Sequence, residues 1–209
     1  RAVKNLTRYL GRSPDTATAE DLRKYQLHLV DQGVSRLTLN ANLTALKFFF
    51  VTTLDRADAL TKISTVPVPR KLPVVLSLEE AARLLNAAGN PKYKAALSVA
   101  YGAGLRVSEV VALKVSDIDS TRKTLRVEQG KGRKDRYVPL GAALLDQLRS
   151  YWCAERPSIF LFPGSQADKP VHIATVRQEF RLARRIAGIE KPCTTHVLRH
   201  SYATHCLQA

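Results

Sequence analysis

The sequence predicts a mainly α-helical protein with a small antiparallel β-sheet, divided into two domains. Three observations predict it. Most segments repeat their apolar residues at helical spacing, two short alternating segments flank a glycine-containing basic turn, and a proline-rich stretch separates an all-helical beginning from the rest. The stretch T-V-P-V-P-R-K-L-P places three prolines in nine residues, which excludes a helix and favours a stiff extended connection. The expected division is therefore a helical domain over residues 1–66, a linker at 67–73 and a larger domain over 74–209.

In the first domain, residues 1–10 read as an initial helix. Thr18 with Asp21 three positions on is a capping pattern for a helix over 18–32, whose apolar side carries Leu22, Tyr25, Leu29 and Val30. Gly33 marks its stop, and a further helix is predicted from Ser35 to about Leu54 through Leu39, Leu43, Leu46, Phe49 and Phe50. Beyond the linker, Ser77 opens a helix to about Ala88 and Pro91 opens one to Ala103. Thr124–Glu128 and Arg136–Leu140 read as a β-hairpin, and helices return near 142–154, 173–187 and 195–207.

Composition narrows the function classes. The 33 Lys and Arg against 18 Asp and Glu give a formal charge of +15, and both parts share the excess, so a polyanion is the expected partner. No apolar run reaches 18 residues, and the first residues lack the pattern of a secretory signal. Cys153, Cys193 and Cys206 are too few and too irregular for a disulfide framework or a C-x-x-C site. A soluble, intracellular protein without a membrane partner is expected. The last residues, Thr204–Ala209, read as a helix without a stop signal, so a continuation past the C-terminal end is expected.

Three segments carry candidate chemistry. In Y-G-A-G-L-R-V-S-E the helix breaks at glycine and restarts, placing Arg106 near a helix N-terminus, where a guanidinium and the backbone N–H groups both favour phosphate. Glu109, three residues on, can orient it, although a purely structural Arg-Glu pair has the same spacing. The turn G-K-G-R-K-D-R presents Lys131, Arg133, Lys134 and Arg136, which suit DNA contact but also an ordinary solvated tip. In T-H-V-L-R-H-S-Y-A-T-H, His196 and Arg199 share a helical face, offering a proton-transfer group beside a second guanidinium. His196, His200 and nearby Cys193 also raise a metal reading. No acidic ligand or H-E-x-x-H pattern accompanies them, so no metal is expected.

Together G-L-R-V-S-E-V, G-K-G-R-K-D-R-Y-V-P-L and H-V-L-R-H-S-Y-A-T-H closely resemble the tyrosine recombinases of the phage integrase class, above all Xer-like and integron-type integrases. The N-terminal helices, with A-L-K-F-F-F, resemble the family's SAM-like core-binding domain, and K-L-P-V-V-L-S-L-E-E-A-A-R-L-L resembles the opening of its catalytic domain. The resemblance implies a two-domain clamp on double-stranded DNA, working as a tetramer and needing no cofactor. It implies that Arg106 and Arg199 clamp the scissile phosphate, that Lys131 protonates the leaving 5′ oxygen, that His196 moves the proton of the nucleophile and that Glu109 holds Arg106. Downstream of H-x-x-R the family pattern carries a His or Trp and then the nucleophilic Tyr. This chain stops ten residues after Arg199, so no nucleophile is expected within it. Tyr202 matches a position ordinarily buried. Two other readings stay open: a DNA-binding module of the same fold without chemistry, and a basic RNA-binding helical protein.

Overall fold

The computed structural model describes residues 1–69, 72–128 and 135–208. The chain divides into two compact units, Arg1–Lys71 and Leu72–Ala209, each with its own apolar core. Residues 70 and 71 of the expected linker lie outside the described residues, as do Lys131, Arg133 and Lys134 of the expected hairpin tip. Among the described residues no helix is long and apolar enough to cross a membrane.

The first unit is helical throughout: α1 Ala2–Leu10, α2 Ala19–Asp31 and α3 Arg36–Phe48. The capping box at the start of α2 forms as the sequence implies, with the Asp21 backbone N–H donating to Thr18 Oγ1 and the Thr18 backbone N–H donating to the Asp21 carboxylate. Leu6, Leu22, Tyr25, Leu46 and Phe50 close the core. The helix expected to run to Leu54 is α-helical only to Phe48 and ends in a wider turn over Phe49–Thr53. Val51-Thr52-Thr53 is a β-branched run that sustains an α-helix poorly, and the wider turn still buries Phe50 completely.

The second unit contains α4 Leu78–Ala87, α5 Pro91–Gly102, α6 Val107–Ala112, β1 Ile118–Asp119, β2 Thr124–Val127, β3 Arg136–Pro139, α7 Ala142–Glu155, α8 Ile173–Ile186 and α9 His196–Gln208. Helix α5 is its axis. Residues 95–100 are all buried, because small side chains let α4, α6, α7, α8 and α9 approach from every side. The strands form one antiparallel sheet in the order β1-β2-β3, and β1 was not anticipated because two residues carry no periodicity. The register pairs Leu125 with Val138 and Val127 with Arg136. Directly paired residues share a face of the sheet, so Arg136 lies on the side where Leu125 and Val127 are buried, while Arg126 and Tyr137 lie on the other.

Helix α9 is fastened to the start of this unit. The Leu76 backbone N–H donates to Ser201 Oγ at 2.9 Å, and His205 Nε2 donates to the Leu76 carbonyl at 3.0 Å. The other ring nitrogen, Nδ1, is hydrogen-bonded to Tyr101 Oη at 2.8 Å. Positions 201 and 205 are one helical turn apart, which lets both reach the same peptide.

Candidate active site

The Glu109 carboxylate collects three arginines that the sequence scatters over 94 positions, from Arg106 to Arg199. Helix α5 ends in a turn at Gly104, whose φ of 61° is in the left-handed region; the chain then re-enters a helix with Arg106 as the N-cap of α6. Glu109 sits at the third position of α6 and closes back on that cap: the Arg106 backbone N–H donates to Oε2 and Arg106 Nη1 donates to Oε1, both at 2.9 Å. Arg136 adds a two-pronged pair from β3, Nη1 to Oε1 at 3.1 Å and Nη2 to Oε2 at 2.8 Å. Arg199, one turn into α9, lies 3.9 Å from Oε2 and donates instead to the Gly104 carbonyl at 2.6 Å.

One carboxylate thus faces three guanidinium groups. The Glu109 side chain is 8% exposed, whereas those of Arg106, Arg136 and Arg199 are 32, 33 and 36% exposed. Burial alone would push the Glu109 carboxyl up, but the bonds from Arg136 and from the backbone and side chain of Arg106 outweigh it and hold the group at about 2. A cation excess of two remains on the solvent side, which an anion with oxygens in several directions would neutralise.

This gives a first expected result. Because the folded carboxyl is depressed from its ordinary 4.5, the stabilisation is complete above about 4.5 and disappears as pH falls towards about 2. Its ceiling is about 3 kcal/mol, at about 1.4 kcal/mol per pKa unit. Urea unfolding of the 209-residue chain should show Glu109→Gln less stable than the parent at pH 7, with the gap narrowing between pH 5 and pH 3. A gap unchanged at pH 3 would count against a charged Glu109 hub.

The turn beneath the arginines is packed from below. A Cβ built on Gly104 would lie 2.4 Å from Cδ1 and 2.8 Å from Cε1 of Tyr202, so the ring of α9 rests directly on the glycine. Burial first, and then a hydrogen bond with Cys206, raise the Tyr202 phenol above its ordinary 10.0. Arg199 and Tyr202 therefore hold the Gly104 turn from two sides, one by its carbonyl and one by its missing side chain.

His196 is the exposed first residue of α9 and borders a cavity of about 920 Å³ beside α8. Arg177, Arg181, Arg184 and Arg185 line the same cavity. These four were not singled out from the sequence, although V-R-Q-E-F-R-L-A-R-R carries the signal, with arginines recurring at intervals of three and four along a helix. The structure brings Arg106, Glu109 and Arg199 together and places Arg136 with them; Lys131, Arg133 and Lys134 lie outside the described residues.

Comparison with known proteins matches both parts of the chain to one family. Residues 75–209 match the phage integrase family, and residues 1–58 match the phage integrase N-terminal SAM-like domain. The putative integrase/recombinase y4qK of Sinorhizobium fredii is 42% identical over 211 residues, covering 100% of this chain and 68% of that protein. Tyrosine recombinase XerA of Thermococcus kodakarensis is 37% identical, covering 96% of this chain and 72% of the relative. A lambda integrase tetramer bound to a Holliday junction shares the fold with a TM-score of 0.74 at 20% identity, over 91% of this chain and 60% of that one. With both domains matched in order and the arginine cluster assembled, the chain belongs to the phage integrase family and is a relative of the tyrosine recombinases of site-specific recombination.

Proposed function

We propose that this chain is the DNA-clamping and phosphate-activating part of a site-specific recombinase that cuts and rejoins duplex DNA through a 3′-phosphotyrosine. The observation that carries the proposal is the cation excess around Glu109, where the side chains of Arg106 and Arg199 are 32% and 36% exposed. Bound there, a phosphodiester meets two guanidinium groups. They gain most when charge builds on its nonbridging oxygens in the pentacoordinate transition state. In this reading Lys131 protonates the leaving 5′ oxygen, His196 takes part in proton transfer from the nucleophile, and Arg133 and Lys134 contact the DNA backbone. The arginine row of α8 beside His196 extends the basic surface along the duplex. Domains 1–66 and 74–209, joined by the linker 67–73, both contact the DNA, and the natural full-length protein works as a tetramer on it.

The attacking tyrosine lies outside these 209 residues in this reading. Tyr202 is excluded because its ring is packed against Gly104 and its phenol is shifted up, both contrary to what a nucleophile needs. The test is a nicked suicide duplex carrying the target site, incubated with the chain and separately with the full-length protein, then resolved under denaturing conditions. The chain alone should bind the duplex with steep salt dependence and form no covalent adduct, because a polarised phosphate without a positioned nucleophile reacts slowly at most. The full-length protein should form one. An adduct mapping to Tyr202 would overturn the nucleophile assignment, and a full-length protein without any adduct would overturn the recombinase reading.

A further inference from the structure

We propose that Arg136 is a positioning residue: by gripping Glu109 it releases the Arg106 guanidinium to the phosphate. The inference rests on the recombinase reading above and deepens it. A carboxylate has about four acceptor positions, and those of Glu109 are filled by two bonds from Arg106 and two from Arg136, while Arg199 at 3.9 Å contributes charge without a hydrogen bond. When a phosphodiester draws the Arg106 side chain away, Glu109 keeps three bonds: the fork from Arg136 and the Arg106 backbone N–H. Without Arg136 it would keep only that backbone bond. A buried carboxylate left so poorly satisfied holds the Arg106 guanidinium for itself and competes with the phosphate. Arg136 thus acts on the substrate through a second arginine.

The sheet makes this placement possible. Arg136 pairs with Val127 on the buried face, and slipping the register by one residue would turn its guanidinium to the opposite side. Its fork matches the plane of a carboxylate, a geometry that the single ammonium of lysine cannot supply. The hairpin position therefore reads as a surface cation in the sequence and as a partner of Glu109 in the fold.

The test uses the full-length protein on the nicked duplex at saturating concentration, comparing Arg136→Gln, Arg136→Lys, Glu109→Gln and the double variant Glu109→Gln/Arg136→Gln. Arg136→Gln should slow covalent attachment by about 30-fold and weaken DNA binding by no more than about threefold, since the lost interaction acts after binding. Arg136→Lys should recover little of that rate. The decisive result is the double variant, which should react faster than Arg136→Gln alone because a neutral amide no longer withholds Arg106. It also carries the test if Arg136→Gln melts early, since it leaves no buried charge unpaired. A residue that only supports the fold predicts the reverse, a double variant slower than either single one. Arg106→Ala and Arg199→Ala are run in parallel. If these still react, the recombinase reading fails; if they are inactive while Arg136→Gln reacts like the parent, or the double variant is slower than Arg136→Gln, the role of Arg136 fails alone.

Discussion

Arg199→Ala in the full-length protein is expected to slow covalent attachment to DNA by roughly two to three orders of magnitude, with a much smaller loss of affinity for the duplex. In the proposed reading the guanidinium has two tasks that only a branched donor can combine. One arm is tied to the Gly104 carbonyl at 2.6 Å, which fixes the direction of the others, and in that reading these meet a phosphate oxygen. Truncation removes the transition-state contact and also leaves the Gly104 carbonyl without that bond. Arg199→Lys should recover less than a tenth of the parent rate, because one ammonium cannot serve carbonyl and phosphate in the same geometry. Single-turnover rates on the nicked duplex at saturating protein separate this from binding. An Arg199→Ala protein reacting within tenfold of the parent would remove Arg199 from the phosphate site.

Gly104→Ala carries the second large effect, and Gly188→Ala is its control. Both glycines have positive φ, 61° at Gly104 and 64° at Gly188, so alanine brings about 1 kcal/mol of backbone strain to either. Only at Gly104 would the new methyl collide with the Tyr202 ring, since nothing lies within 4 Å of a Cβ on Gly188. The ring must shift to admit the methyl, so Gly104→Ala should cost about 3 kcal/mol and Gly188→Ala about 1 kcal/mol in urea unfolding of the 209-residue chain. The full-length Gly104→Ala protein should also lose attachment activity, because the shifted turn carries the acceptor of one arginine and leads into the other. Equal losses of stability at the two positions would mean that the ring contact contributes nothing.

The sequence made the local parts of this structure readable. Thr18 with Asp21 and Ser77 with Glu80 announce their helices because each cap is completed within four residues. Arg106 and Glu109 could be paired for the same reason, as neighbours on one helical turn. Contacts closed over long separations were not readable in this way. The alternation R-Y-V-P does place Arg136 on the same side as Val138, but nothing local says that this side faces α6. The Gly104 turn likewise shows as a helix break, whereas the ring beneath it comes from a residue 98 positions later. Strand β1 and the wide turn after Phe48 escaped because one is too short for a period and the other keeps the apolar pattern of a helix.

The bonds from Ser201 and His205 to Leu76 bear on when the arginine cluster comes into being. They join the first residues of the second unit to its last described helix across 125 and 129 positions. A chain still emerging from the ribosome can form α4, α5 and α6, and with them Arg106 and Glu109, long before Arg199 has been synthesised. Loop closure over such distances is among the slower and later events of folding. The second guanidinium therefore arrives together with the closure of the unit, so a chain still short of α9 carries Arg106 and Glu109 without Arg199 beside them.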